Sequence, residues 1–214
     1  GRVERVRRFC RTHTYHADAF PSLSLDIGPG SLAVYLGSKP VFAWDTVWYG
    51  KCIGEDGEYC KIQYDPDNYW WQEHCRQLET AKKLANGDFI VGIPDLIENL
   101  DILAAMRGPQ ELCYDIIDCP ECVKEGILRL ENAYFEYFDR LYDITREPDG
   151  GCDFSIYSLW APGPMAKIQC DFSAMLSPKD FKALALPSFE RQCSRLDYSL
   201  YHLDGRDAIR HLDA

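Results

Sequence analysis

The chain has 214 residues, 46% of them hydrophobic and 27% charged, a balance that builds a core and excludes a disordered polypeptide. Its formal net charge is −11, which excludes nucleic acid as the main partner, because phosphate binding needs a basic surface. No run of about 18 apolar residues occurs, so no membrane span is expected, and the length fits one domain.

In chain order, Arg2, Arg5, Arg7, Arg8 and Arg11 come first, with no apolar segment behind them. They read as one solvated helix face, not a secretory signal. Phe20–Leu25 reads as a strand, followed by Gly28-Pro29-Gly30 and an apolar helix through Leu36. Residues 41–64 are rich in aromatic and β-branched types, with Gly50, Gly54 and Gly57 between the runs. Val41–Trp48 and Tyr59–Tyr64 are therefore expected as strands around a turn. Pro66 and Asp67 open a helix through Ala85, stopped by Asn86-Gly87.

A rhythm of short apolar runs and helices then sets in. Asp88–Ile93 is such a run, closed by Pro94-Asp95, and helices follow over about 97–106, 109–117 and 120–144. Asp153–Leu159 and Met165–Cys170 read as strands, the second ending at Asp171. Ser177 is placed to cap a helix that runs to about Arg195. Asp197–Tyr201 is a last strand, leading to His202-Leu203-Asp204-Gly205 and a helix from Arg206. Buried runs alternating with helices give parallel β/α units. About five such strands fall short of the roughly 250 residues of an eight-stranded barrel. The expectation is an α/β protein of the (β/α)8 TIM-barrel type, incomplete at both termini, with an open doubly wound sheet as the competing architecture.

The ten cysteines accompany no secretory signal, so a reduced, cytoplasmic chain is the expectation. Cys119-Pro120-Glu121-Cys122 is a single C-x-x-C that follows a helix, not a strand, and has no second pair for a zinc ribbon. It reads as a helix start, with Pro120 near the first position and Glu121 in the first turn.

Three strand-like runs end in an acid: Asp95, Asp171, and Asp204 beside His202. Loops after parallel strands line the site of such folds, so these residues are candidates to converge. Asp95 could equally cap the next helix, whereas for Asp171 a site role is favoured because Ser177, six residues later, is the better cap. On extended backbone His202 and Asp204 face one side, which suits either metal ligation or a proton-transferring pair. Trp44, Trp48, Tyr49, Trp160 and Tyr201 lie near the expected strand ends and could wall a flat or cationic ligand, or simply pack.

The segments Ala19-Phe20-Pro21-Ser22, Gly28-Pro29-Gly30, Asp45-Thr46-Val47-Trp48, Val91-Gly92-Ile93-Pro94-Asp95, Gln169-Cys170-Asp171-Phe172-Ser173 and Tyr201-His202-Leu203-Asp204-Gly205 carry a further reading. With them the chain resembles the uroporphyrinogen decarboxylase-like superfamily over nearly its whole length, as one partial domain, residues 1–214. The resemblance implies a (β/α)8 barrel with its cleft at the strand C-termini. It implies either zinc-assisted methyl transfer from a corrinoid protein to a thiol, or cofactor-free decarboxylation of a porphyrinogen; a binding module without catalysis is the third alternative. Methyl transfer is the leading expectation, with a small-molecule substrate and a corrinoid protein as partners. Catalytic roles are expected of Asp171, Asp95 and Asp26, the last falling near the decarboxylase's substrate-binding aspartate. Substrate contacts are expected of Trp48, Trp160, Tyr201, Gln169 and Asp45. Zn²⁺ would be held by His202 and Asp204, where the zinc branch has H-x-C; the third ligand is expected beyond Ala214. The acids offered here would repel a polycarboxylate, which ranks decarboxylation second.

Overall fold

Short apolar runs flanked by helices pair in parallel wherever the chain must cross over between them. The computed structural model, which describes residues 1–54, 58–154 and 156–213, follows that rule. Helix α1 (Arg2–Thr12) leads into β1 (Ser22–Leu23), which pairs in parallel with β4 (Ile90–Val91). A parallel bridge joins Ile93 to Phe154 of β5 (Cys152–Phe154), and β7 (Met165–Gln169) pairs in parallel with β8 (Tyr198–His202). The parallel register places Gln169 opposite His202 and Ser22 opposite Ile90. The strands form small separate sheets, and two of them are antiparallel hairpins.

Those hairpins correct the reading of two segments. Val41–Trp48 is not one strand. It folds into β2 (Pro40–Phe42) and β3 (Val47–Tyr49), with the Ala43 N–H donating to the Thr46 carbonyl across the turn. Likewise Asp153–Leu159 divides between β5 and β6 (Leu159–Ala161). Tyr59–Lys61 is a turn of 3₁₀ helix where a strand was expected, and Arg206–His211 is 3₁₀ rather than α. Gly57 and Ala214 lie outside the described residues.

The helices match the sequence closely. Short α2 (Leu32–Tyr35) is wholly buried. Helix α3 (Tyr69–Ala85) is capped by Asn68, whose side chain accepts from the Trp71 N–H, and ends on left-handed Asn86. Then come α4 (Asn99–Arg107), α5 (Pro109–Asp118) and α6 (Pro120–Thr145). Helix α6 buries Val123, Ile127, Leu130, Tyr134, Tyr137, Phe138 and Leu141 at helical spacing and is the pillar of the core. Ser177 caps the short α7 (Pro178–Asp180) as expected, but the helix then widens to π geometry over Phe181–Ala185 before α8 (Leu186–Arg195). Pro187 has no N–H to continue the regular ladder, which accounts for the wide turn. No helix among the described residues is long and apolar enough to cross a membrane.

The cysteines depart from expectation in one place. Cys119 and Cys122 are joined as a disulfide at the start of α6, whereas an all-reduced chain was anticipated.

Candidate functional site

Alternation along β7 decides what lies on its inner side. Lys167 and Gln169 are two apart, so they share a face, and both are buried. Lys167 donates to Asp95 at 2.6 Å, and each side chain is 4% exposed. A charge this deep needs a partner, and Asp95 supplies it. The Asp95 N–H in turn donates to Asp26 Oδ1 at 3.3 Å, and Ser24 donates to Asp26 Oδ2 at 2.8 Å. Residues that follow β1 and β4 thereby meet a side chain from within β7.

A second chain of contacts continues from Gln169. Its Nε2 donates to Asp171 Oδ2 at 2.6 Å, and its Oε1 lies 3.0 Å from His202 Nδ1. An ionised carboxylate only accepts, so Asp171 fixes which way the Gln169 amide points. Gln169 Oε1 then also only accepts, so His202 Nδ1 is the donor and Nε2 carries the lone pair of the neutral ring. The Tyr157 ring stands 5.5 Å from His202. Asp101, in the first turn of α4, accepts from the backbone N–H groups of Asp171 and Phe172 and holds the loop after β7.

Burial governs the acids of this cluster. It pushes Asp26 up to about 6 against the opposing bonds from Ser24 and the Asp95 N–H. It raises Asp95 as well, with Lys167 pulling the other way. Asp171 is raised first by burial and then by the nearby Asp204. Asp101 rises to about 6 by burial. Asp153 of β5, fully buried and bonded to Ser22, rises to about 6 for the same reason.

The structure thus brings together Asp26, Asp95, Gln169, Asp171 and His202, with exposed Asp204 beside Asp171. It does not bring in the other anticipated contacts. Tyr201 is one residue out of phase with His202, so it faces the helix layer and meets Phe189 edge-on. Trp48 alternates with Val47 and Tyr49; those two pack on Gly28, and Trp48 turns outward, 67% exposed. Asp45 sits exposed in the β2–β3 turn. Trp160 lies against Gly151, before β5, because β6 doubles back antiparallel toward the start of that strand. It lines a cleft with Phe20 and Ile90, at the opposite ends of the strands from His202.

Comparison with solved structures gives a likeness in fold. The fold is similar to that of a methyltransferase from Methanosarcina mazei. The TM-score is 0.56 at 11% sequence identity, over 86% of this chain and 51% of that one. The chain therefore spans about half the length of that structure, and the likeness concerns the fold. No protein-family model matches the sequence, and no curated protein matches it.

Against that fold, Lys167, Asp101 and Tyr157 are the members of the cluster that reading for acids at strand ends passes over. Lys167 had a signal: a lysine inside the apolar run Met165–Cys170 must be paired. Asp101 had none, since an acid in a first helical turn is ordinary. His202 Nε2 and the Asp204 carboxylate are two donors, and no group of three or more metal-binding side chains occurs among the described residues.

Proposed function

We propose that this chain is part of a methyl-transferring enzyme of the uroporphyrinogen decarboxylase-like type. In this reading its parallel strands belong to a (β/α)8 barrel and its substrate lies over the C-terminal ends of β4, β7 and β8. The observation that carries the reading is the pair of polar chains Asp26–Asp95–Lys167 and Asp171–Gln169–His202, drawn from elements far apart in sequence and meeting along β7 through Lys167 and Gln169; in the proposed barrel this is the end at which ligands bind. The likeness to a methyltransferase supports the choice of group transferred; a corrinoid protein as donor and a thiol as acceptor come from the resemblance in sequence.

Each residue has a task that needs no further group. His202, with Nδ1–H held by Gln169, presents Nε2 as a base for a substrate proton, such as that of a thiol. Asp171 fixes the tautomer through Gln169. The Asp95–Lys167 pair sets a buried, rigid floor. No step is routed through zinc; were a metal bound, His202 and Asp204 are the residues that would hold it. Decarboxylation of a polycarboxylate is disfavoured because the cluster offers carboxylates and its lysine is engaged by Asp95.

The test is transfer of a methyl group from methylcobalamin to a small thiol by the full-length protein, with metal content measured in the same preparation. His202→Ala and Gln169→Ala should each lower turnover by about 10²-fold or more, the size typical of general-base loss. Turnover unchanged in both variants would remove the cluster from the chemistry. Absence of transfer in the wild type, together with decarboxylation of uroporphyrinogen, would replace this reading with its rival.

A further inference from the structure

The C-x-x-C of Cys119 and Cys122 takes no part in the cluster above. It sits where α5 ends and the 26-residue α6 begins, with Cys119 at the N-cap, Pro120 at the first position and Cys122 in the first turn. The two Cα atoms are 5.4 Å apart and the sulfurs are bonded. We propose that Cys119 and Cys122 form a reversible redox site, a dithiol–disulfide pair that exchanges with thiol and disulfide reagents of the glutathione class.

Three observations carry this. The first is that the pair is a poor staple. A bridge between residues three apart closes a very short loop and so removes little entropy from the unfolded chain. Helix α6 does not need it, because Val123, Ile127, Leu130 and the residues beyond already anchor the helix in the core. The second is reach: both cysteines are half-buried and adjoin exposed Asp118, Pro120 and Glu121, so a small thiol can approach. By contrast Cys152 and Cys170 are buried, and burial raises both thiols. The third is the state of the helix start. No side chain caps α6, and the N–H groups of Cys122 and Val123 turn to the Cys119 carbonyl, while Glu121 N–H has no such bond. A thiolate at Cys119 would take up that donor and meet the positive end of α6, the environment that makes a thiol reactive. Asp118 and Glu121 oppose it, Glu121 less so because Lys124 pairs with it at 2.7 Å.

The exchange balances simply. The Cys119 thiolate attacks glutathione disulfide, forming a mixed disulfide and releasing one glutathione thiolate. The Cys122 thiolate then attacks that mixed disulfide at Cys119 sulfur, releasing the second. The protein loses two electrons and two protons, and one glutathione disulfide becomes two glutathione thiols.

Differential alkylation of the folded chain reads the site. Tryptic cleavage after Arg107 and Lys124 gives one peptide holding Cys113, Cys119 and Cys122, and fragment ions separate the three. With glutathione disulfide, the Cys119–Cys122 bond should form while Cys113 stays open to alkylation. Dithiothreitol should reverse it with the circular dichroism spectrum unchanged. In Cys122→Ser, one glutathione should be trapped on Cys119 at least about tenfold faster than on exposed Cys60 or Cys193. Failure of the bond to form leaves a plain helix start and overturns the proposal. Unfolding on reduction overturns it too, by making the bond a staple, and equal rates on Cys119 and Cys60 remove the special reactivity.

Discussion

Lys167 shows how one side chain can hold a site together. Its ammonium and the Asp95 carboxylate are each 4% exposed, so neither can be solvated without the other. Replacing Lys167 by methionine keeps the stem and deletes the charge. The expected loss is about 3–5 kcal/mol, the cost of leaving a buried charge alone. The double variant Lys167→Met, Asp95→Asn should recover much of it, because both charges are gone. Urea denaturation of the three proteins measures this, and additive losses would mean that the two residues do not depend on each other. Asp153 makes a separate point about pH. Asp26, Asp101 and Asp153 titrate near 6 in the folded chain, against about 3.9 in an unfolded one. The native state therefore holds more protons between these values. The stability these three groups contribute is fullest below about pH 4 and is lost as the pH rises through 6. Asp153→Asn removes one such group, so the drop in urea midpoint between pH 4.5 and pH 7 should shrink. An identical drop would mean that Asp153 titrates alike folded and unfolded.

At the level of elements, the sequence announced most of the helices and few of the turns. Ser177 was legible as a cap because its oxygen has one good use there, the Asp180 N–H. The hairpin hidden in Val41–Trp48 was not, because Trp44-Asp45 is a weak turn signal and strand propensity runs straight through it. Of the cluster, Asp95, Asp171, Gln169 and His202 were legible from their places at the ends of apolar runs. Tyr201 and Trp48 lie away from the cluster for one reason: their neighbours in an alternating strand point the other way, and which face is inner is fixed only by packing. Gly126 offers a test at this scale. A Cβ there would stand 2.7 Å from the Tyr59 ring, which fills the groove between α6 and the 3₁₀ turn. Alanine normally strengthens a helix by about 1 kcal/mol over glycine. Here Gly126→Ala should instead lower stability by about 1–3 kcal/mol, as overpacking does. Thermal melting decides the sign, and a stabilised variant would show that Tyr59 moves aside freely.

Across the whole molecule, order is not evenly shared. Helix α6 touches α3, α4, α5, α8 and the Tyr59–Lys61 turn, and its apolar face is buried along most of its length. Strand β7 is buried at every position and carries Lys167 and Gln169. Helix α1 buries none of its residues, and the β2–β3 hairpin leaves Val41, Phe42, Trp44 and Trp48 largely in water. Local opening costs least where few apolar contacts break. Amides of α1 and the hairpin should therefore exchange with deuterium first, through openings that leave the rest intact. Amides of α6, β7 and β8 should exchange last and together, because the hydrogen bonds from Gln169 to Asp171 and His202 tie β7 to β8 and to the loop after β7. Gln169→Ala should advance exchange in β8 and the 171–175 turn while leaving α6 protected. If α6 loosened along with them, the cluster would be a keystone of the fold, and its design for chemistry would be in question. If nothing changed, the backbone pairing of β7 with β8 would suffice to hold His202, and the amide would serve only to orient its ring.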